Sequence, residues 1–395
     1  MPMNKNLCVI PWVHLNLNPD GTILPCCITS SNQNDSKIGN INDMSLEEAW
    51  NHKRMRKLRM QFMNNKKPEI CNVCWKKEDA GGTSVRQHNN AHFPHVIKKI
   101  PEITDHDGTS KEFKLRYWDF RFSNLCNYKC RSCGPLYSSA WIPDAKRLGF
   151  RNHTEEKILS NDVTNEFIDE HIMDVERIYF AGGEPMLMDQ HWYILQKLSE
   201  LERWEVKLMY NTNLSVLSRK KESALDYWKN FKFVHIAPSI DEIDERAELV
   251  RSGTVWPNVE KNLEILSRQH NMLIIPNITV GSLNVFRLPE IIQRLMDLGI
   301  KNFNLNQVFS PEWYHVSALP DELRKIAIDK IYDFCLKVKI EYNQNISDKF
   351  IQVLYELKKP HNTDAAEQLR LFTTRLDIVR NENSYETIPE LKLLR

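Results

Sequence analysis

The chain has 395 residues, enough for two or three domains around a large buried core, which excludes a peptide or a disulfide-held scaffold. Composition is 42% hydrophobic and 27% charged, with 53 basic against 52 acidic residues, so neither a disordered chain nor a nucleic-acid-binding face is expected. No apolar run approaches the roughly 20 residues needed to span a bilayer, and the opening MPMNKNLCVIPWVHLNLNPDG lacks the apolar centre of a signal peptide; no membrane contact is expected, and the cytosol is the default location.

Nine cysteines stand at 8, 26, 27, 71, 74, 126, 130, 133 and 335. A cytosol keeps thiols reduced, which favours metal binding or catalysis over disulfides. The first group is Cys8, then Cys26 in GTILPC, then Cys71 and Cys74 in a C-x2-C step, with Cys27 a fifth candidate beside Cys26. On spacing alone a structural zinc site and an iron-sulfur cluster are equal readings. SLEEAW at 45–50 begins a helix whose polar face takes the basic run Arg54 to Arg59, a better reading than an anion site. From Gln87 to Thr109, His88, His92 and His95 lie among Asn and Pro, which reads as a solvated connector and not a metal site.

From Lys114 to Phe309 strand-like runs alternate with amphipathic ones. The strands are expected at Leu115–Phe122, Arg177–Ala181, Val206–Tyr210, Phe233–Ile240, Leu273–Val280 and Asn302–Val308. Helices are expected near 155–172, 189–202, 219–229, 256–269 and 287–298, the last with Pro289 in its first turn and Gly299 at its C-cap. Such alternation makes βαβ units and a parallel sheet; periodicity leaves an incomplete barrel and a doubly wound sheet both open. After Pro320 the pattern is helical, with Asp321–Val338 and Ser347–Leu357 its best segments. Cys335 lies on an apolar helix face and reads as core.

The second cysteine group, in FSNLCNYKCRSC, directly follows the first of these strands, where the loops of a barrel build an active site. Three thiolates at C-x3-C-x2-C spacing can hold three irons of a [4Fe-4S] cluster and leave the fourth open; zinc or plain buried cysteines are the alternatives. Tyr128, Tyr137, Trp141, Trp313 and Tyr314 could wall this region, although packing is the commoner role of large aromatics.

Cys126, Cys130 and Cys133, together with Gly182-Gly183-Glu184-Pro185 after the second strand, resemble the two hallmarks of the radical S-adenosylmethionine (SAM) superfamily. The resemblance implies an α/β incomplete (β/α)6 barrel, reductive cleavage of SAM at a [4Fe-4S] cluster, and hydrogen abstraction by a 5′-deoxyadenosyl radical. It also implies that Gly182 and Gly183 lie against the methionine part of SAM and that Glu184 helps hold its amino group, which suits a carboxylate. Asn213 in the TN step, Ser239 and Asp241 in the SxD step and Arg251 in R-x-G resemble further SAM contacts, against a plain role as turn or solvated residues. One departure is Ser132, where the family usually has an aromatic residue before the third cysteine, so adenine packing is expected partly elsewhere.

Cys8, the G-x4-C step ending at Cys26, and the surrounding PW, PDG, IGNI and SLEEAW resemble SPASM and twitch domains, which hold auxiliary clusters. With too few cysteines for two clusters, twitch is the closer match, and Cys8, Cys26, Cys71 and Cys74 are implied as ligands of a second [4Fe-4S] cluster. The domains expected are a twitch unit at 1–86, a linker at 87–112, the barrel at 113–319 and a helical extension at 320–395. Placed ahead of the barrel and not after it, the unit would have to fold back to face the barrel mouth. The resemblance further implies an electron donor such as flavodoxin or ferredoxin and a substrate that is a peptide or protein side chain, or else a small molecule such as a sugar. A non-catalytic cluster scaffold is the reading from another class.

Overall fold

The computed structural model describes residues 4–29, 36–151, 155, 161–342 and 345–394, with backbone only at 161–163. The N-terminal part contains β1 (His14–Leu17), β2 (Thr22–Leu24), β3 (Gly39–Asn40) and helices α1 (Leu46–Trp50), α2 (Lys53–Met63), α3 (Asn72–Asp79), α4 (Val85–His92) and α5 (Pro94–Ile103). The barrel runs β4 (Tyr117–Phe120), α6 (Ile142–Arg147), α7 (Asn161–His171), β5 (Arg177–Phe180), α8 (Asp189–Glu200) and β6 (Lys207–Thr212). It continues through a small hairpin, β7 (Ser218–Arg219) and β8 (Glu222–Ser223), to α9 (Ala224–Trp228), β9 (Val234–Pro238), α10 (Asp244–Val250) and α11 (Trp256–Ser267). Then come β10 (Met272–Ile274), β11 (Asn277–Val280), α12 (Leu288–Asp297) and β12 (Asn304–Gln307). The extension is α13 (Asp321–Tyr342), α14 (Ser347–Leu357), α15 (Thr363–Arg380) and α16 (Ser384–Thr387). Among the described residues no helix is long and apolar enough to cross a membrane.

All six expected strands are present, but the fifth is broken at Pro276, which has no N–H to continue the ladder. Its first half, β10, pairs in parallel with β9; its second half, β11, pairs with β12 and is tied to the main sheet by a bridge from Ser239 to Asn277. The main sheet has the order β10-β9-β6-β5-β4-β1-β2-β3. Alternation explains its two faces. Ile178 and Phe180 of β5 are buried against helices, whereas Arg177 and Tyr179 turn toward the lumen. Gly299 takes a φ of 79° just after α12, as its C-cap role requires.

The N-terminal part is not a self-contained module. β1 lies in parallel beside β4, with His14 opposite Tyr117 and Asn16 opposite Asp119, so it extends the barrel sheet, and β2 returns antiparallel. One apolar core runs from Leu15, Leu17 and Ile23 through Trp118 and Phe180 to Leu323 and Phe334, and includes Cys335. Because β1 and β4 share direction, the chain before β1 and the chain after β2 both lie at the N-terminal ends of the barrel strands, opposite the mouth. The unit does not fold over the mouth.

The segment expected as a linker is helical. Ser84 and Gln87 form a reciprocal capping box, with the Gln87 amide donating to Ser84 Oγ at 3.2 Å and the Ser84 amide to Gln87 Oε1 at 2.9 Å, and Pro94 opens α5. His92 Nδ1 lies 3.2 Å from Lys207 Nζ and His95 Nε2 lies 3.0 Å from Glu176 Oε1, so α4 and α5 lie against the N-terminal ends of β5 and β6. The helix expected at 219–229 is shortened by the β7–β8 hairpin, whose turn puts Lys220 at a φ of 53°. The start expected for the helix at 155–172 falls mostly outside the described residues. α15 falls within the helical extension expected after Pro320 but was not among its best segments: its TDAAEQLRLFTTRLDIVR has no strong apolar stripe, and buried Thr373 and Asp377 share its inner face with Leu369 and Leu376.

The basic run also departs from expectation at its end. Arg59 is fully buried, lies over the Trp50 ring, and donates to Pro11 O at 2.9 Å, Trp50 O at 2.8 Å, Asn51 Oδ1 at 2.9 Å and Gly108 O at 3.3 Å. Arg59→Ala would strand these buried acceptors, and unfolding stability is expected to fall by about 3 kcal/mol or more. Arg59→Lys, with a single donor group, should recover only part of it. Denaturant midpoints would check both; a wild-type midpoint for Arg59→Ala would contradict the assignment.

Candidate active site

At the C-terminal ends of the barrel strands a cavity of about 290 Å³ is bordered by Cys126, Cys130, Cys133, Gly182, Gly183, Asn213, Ser239, Asp241 and Arg251. The local chain accounts for each. After β4 the chain turns into a loop whose Lys129 and Arg131 amides donate to Ser252 O at 2.8 Å and Val250 O at 2.9 Å. This tethers the thiol loop to the Arg251-Ser252-Gly253 step. Gly182 sits at a φ of 115°, open mainly to glycine, and at Gly183 an added Cβ would meet Leu125 O at 2.1 Å. Glu184 caps the short turn begun by Pro185, accepting from the Met186 amide at 3.3 Å.

Glu184 is 1% exposed, and its carboxylate is engaged from behind the rim: Thr212 Oγ1 donates at 2.7 Å and the Asn213 amide at 2.7 Å. It anchors the TN step. Burial pushes its carboxyl up to about 7 against the pull of these bonds. Asn213 Nδ2 donates to Asn127 Oδ1 at 2.9 Å, inside the thiol loop. Asp241 accepts from Arg251 Nη1 at 2.6 Å and from the Thr279 amide at 2.7 Å, while Arg251 Nε is buried without a protein partner. A buried guanidinium with a free donor suits an anionic ligand group.

Of the aromatics named from sequence, Tyr128 and Tyr137 border the cavity, with Arg251 and Arg121 over their rings at 6.0 and 5.5 Å. Trp141 lies behind the loop, and Trp313 and Tyr314 pack on Phe372 of α15. Arg121 and Tyr179 also border the cavity and were missed. The alternation of β4 and β5, which puts residues 117, 119, 121, 177 and 179 on one face, is the signal that could have found them.

A second hollow, at the other end of β1, is lined by Cys8, Cys26, Cys71 and Cys74 with Ile10, Leu58, Phe62 and Arg86. Cys27 is not among its lining residues, and both Cys26 and Cys27 are free thiols. Cys8 precedes β1, Cys26 follows β2, and Cys71 and Cys74 sit at the start of α3, so three separate elements bring the four thiols together. Between the two hollows lie His14, Asn16, Asp119 and Arg121, a polar column four rungs or about 13 Å long.

The donor sets fit iron-sulfur clusters. Burial and the neighbouring thiol Cys130 push Cys126 and Cys133 up to about 12, and burial with Cys74 does the same to Cys71. Thiols crowded in a low dielectric resist ionising as a set, and a polycation is what holds them as thiolates. Among the described residues no group of three His, Cys, Asp or Glu side chains is placed to hold a metal ion. Each thiol set instead borders a hollow.

Outside the site, burial pushes the Glu242 carboxyl up to about 7, with Arg287 at 3.8 Å pulling it down. A carboxyl with a raised folded-state pKa keeps its proton over an interval in which the unfolded chain has lost it. Unfolding free energy should therefore fall as pH rises from about 4.5 to about 7 and level off above. Glu242→Gln should flatten that slope by about 2–3 kcal/mol and be the more stable chain at pH 7.5. Urea midpoints at pH 5 and 7.5 would check this, and an unchanged slope would contradict it.

The profile of the radical SAM superfamily matches residues 120–282, and that of the iron-sulfur cluster-binding domain SPASM matches residues 8–75. Curated relatives include the GTP 3′,8-cyclases of Aliarcobacter butzleri, 24% identical over 157 residues, and Mannheimia succiniciproducens, 27% identical over 161. Each match covers 39% of this chain, with 44% and 43% of the relative, so the chain spans less than half the length of the curated relatives it matches. Similar solved structures include native anSMEcpe with bound AdoMet, at 18% identity and TM-score 0.41 over 57% of this chain and 62% of that one. Streptococcus suis SuiB bound to precursor peptide SuiA is another, at 12% identity and TM-score 0.41 over 82% and 69%. The barrel profile implies a [4Fe-4S] cluster and SAM, and the N-terminal one auxiliary iron-sulfur. Both profiles fall on the elements that carry the two thiol sets, and the chain accordingly belongs to the radical SAM superfamily, with a SPASM-type iron-sulfur domain preceding the barrel.

Proposed function

We propose that this chain is a radical SAM enzyme that abstracts hydrogen from a peptide or protein side chain. One [4Fe-4S] cluster would be held by Cys126, Cys130 and Cys133, and a second by Cys8, Cys26, Cys71 and Cys74. The observation that carries the reading is the meeting, around one cavity, of three thiols, the Gly182-Gly183 backbone and the Asp241–Arg251 pair. When bound, cluster and SAM supply a 5′-deoxyadenosyl radical by one-electron cleavage of the sulfonium.

The chain's own residues do the rest. The glycines let the backbone lie flat against the methionine part of SAM. Arg251, held by Asp241, keeps an unpartnered Nε donor, which suits an anionic group such as the SAM carboxylate. Ser239 and Asn213 border the same space. Glu184 keeps the third-strand rim in place through Thr212 and Asn213, a positioning role in addition to the amino-group contact that the family resemblance implies. Tyr128, Tyr137 and Tyr179 offer the rings that Ser132 does not, for packing adenine.

The R-x-G step at 251–253 and the SPASM-type domain favour a peptide substrate. The curated relatives, both GTP 3′,8-cyclases, favour a second reading, in which the substrate is a small molecule. A reducing compartment and a donor such as ferredoxin or flavodoxin follow from the need to reduce the cluster. The test is anaerobic reconstitution, measuring iron, sulfide and 5′-deoxyadenosine formed from SAM and a reductant. About eight irons per chain with deoxyadenosine release is expected. Zinc at the N-terminal thiols would remove the second cluster, and a loaded chain that never cleaves SAM would turn the reading into a cluster-binding scaffold.

A further inference from the structure

We propose that the C-terminal extension tunes the barrel cluster. Asp377 and Glu382, by neutralising Arg131 inside the thiol loop, hold that loop in place and set the reduction potential of the cluster bound there. The inference rests on reading Cys126, Cys130 and Cys133 as ligands.

Arg131 lies between Cys130 and Cys133, and its side chain is fully buried. Its Nη2 is 2.5 Å from Asp377 Oδ1 and also bonds Glu382, partners that stand 246 and 251 positions later in the chain. Both acids are themselves fixed. Asp377 accepts from the Ser384 amide at 2.9 Å and Ser384 Oγ at 2.7 Å, around the left-handed cap that Asn381 makes at the end of α15. Glu382 Oε1 is 2.8 Å from Ser252 Oγ, in the step whose backbone receives the thiol loop.

The same end of α15 grips the loop from a second side. Arg380 bonds Asp144 at 2.8 Å and Ser252 Oγ at 3.0 Å, and its guanidinium lies over Trp141 at 4.5 Å. The Trp141 indole donates to Cys130 O at 2.7 Å. Lys129 Nζ lies 3.3 Å from Asp144. The network thus sets three cations against three carboxylates, all but Lys129 largely withdrawn from water.

Buried charges are weakly screened, so any imbalance acts on the adjacent cluster. A cluster gains negative charge on reduction. Removing a carboxylate leaves Arg131 undercompensated and favours the reduced form; removing the guanidinium leaves carboxylates in excess and disfavours it. A loop merely loosened, with water entering in every variant, would shift the potential in one direction for all of them. The sign therefore separates charge tuning from plain support.

The experiment is a redox titration of the full-length reconstituted protein, following the electron paramagnetic resonance signal that changes on adding SAM. At the wild-type midpoint, Asp377→Asn and Glu382→Gln should each raise the ratio of reduced to oxidised cluster about tenfold, a rise of about 59 mV for a one-electron couple. Arg131→Gln should lower it by a similar factor, and Arg131→Lys should restore it. Ratios within twofold of wild type, or shifts of one sign for acids and arginine alike, would overturn the proposal. Should Arg131→Gln fail to fold, Arg380→Gln takes its place as the variant that removes a cation from the network: a fall beside the rise of the acid variants supports the proposal, and no change or shifts of one sign end it. A wild-type protein without any SAM-responsive signal would instead remove the cluster reading itself.

Discussion

Gly183→Ala is expected to cut deoxyadenosine release about 100-fold while leaving the N-terminal thiol set able to load. The Glu184 amide donates to Leu125 O at 2.8 Å, which draws the 182–184 turn against the start of the thiol loop. A Cβ on residue 183 would meet Leu125 O at 2.1 Å and the Leu125 carbonyl carbon at 2.7 Å. Both are backbone atoms that no rotamer change can move aside, so the loop itself must shift. Overpacking of this kind costs about 1–3 kcal/mol of stability. The larger effect is on chemistry, since a displacement of about 1 Å at reacting groups can cost about 100-fold in rate. Leu125 directly precedes Cys126, so the displacement reaches the first of the three thiols proposed to hold the cluster. The measurement is deoxyadenosine formation at matched iron content, alongside a denaturant midpoint. A wild-type rate would show that the turn and loop can separate without consequence, against the geometry described.

Cys71→Ala with Cys74→Ala is expected to lower iron from about eight to about four per chain and to leave uncoupled SAM cleavage within about threefold of wild type. The reason is the way the thiol loop is anchored. Its tethers run to Glu184, Asn213, Val250, Ser252 and the end of α15. Product formation on the true substrate should be lost if the second cluster serves substrate or electrons. The removed thiols border a small core with Ile10, Trp12, Leu58, Phe62 and Trp75, so hydrogen exchange should quicken there first. Exchange quickening equally in β5 and β6, with cleavage lost, would show that this unit holds the shared sheet together, a structural role.

The local features were legible from sequence because short spacing constrains them. C-x3-C-x2-C lies within one loop, GGEP within one turn, and strand alternation within a few residues, so each carries its geometry whatever the rest of the chain does. Cys71 and Cys74 are one helical turn apart for the same reason. The capping box at Ser84 and Gln87 was equally local, and the helices it opens were missed only because His, Asn and Pro suggested a connector.

Other features belong to the tertiary structure alone. That β1 enters the barrel sheet beside β4 depends on pairing residues 103 positions apart. It follows that the two thiol sets lie at opposite ends of one strand pair and not across the mouth. Arg59 reads as surface in its own helix and is buried only because Pro11, Trp50 and Gly108 close over it. Glu184 reads from sequence only as a ligand to SAM, and the fold adds that its carboxylate accepts from the neighbouring strand's Thr212 and Asn213. Cysteine spacing and periodicity thus determined the two thiol groups and the alternation of strands and helices, and the resemblance carried by C-x3-C-x2-C and GGEP implied the family and its cofactors. Where the N-terminal unit sits, which side chains complete the cavity, and how α15 grips the thiol loop were decided by folding, because burial and ion pairing act between residues that the linear chain keeps far apart.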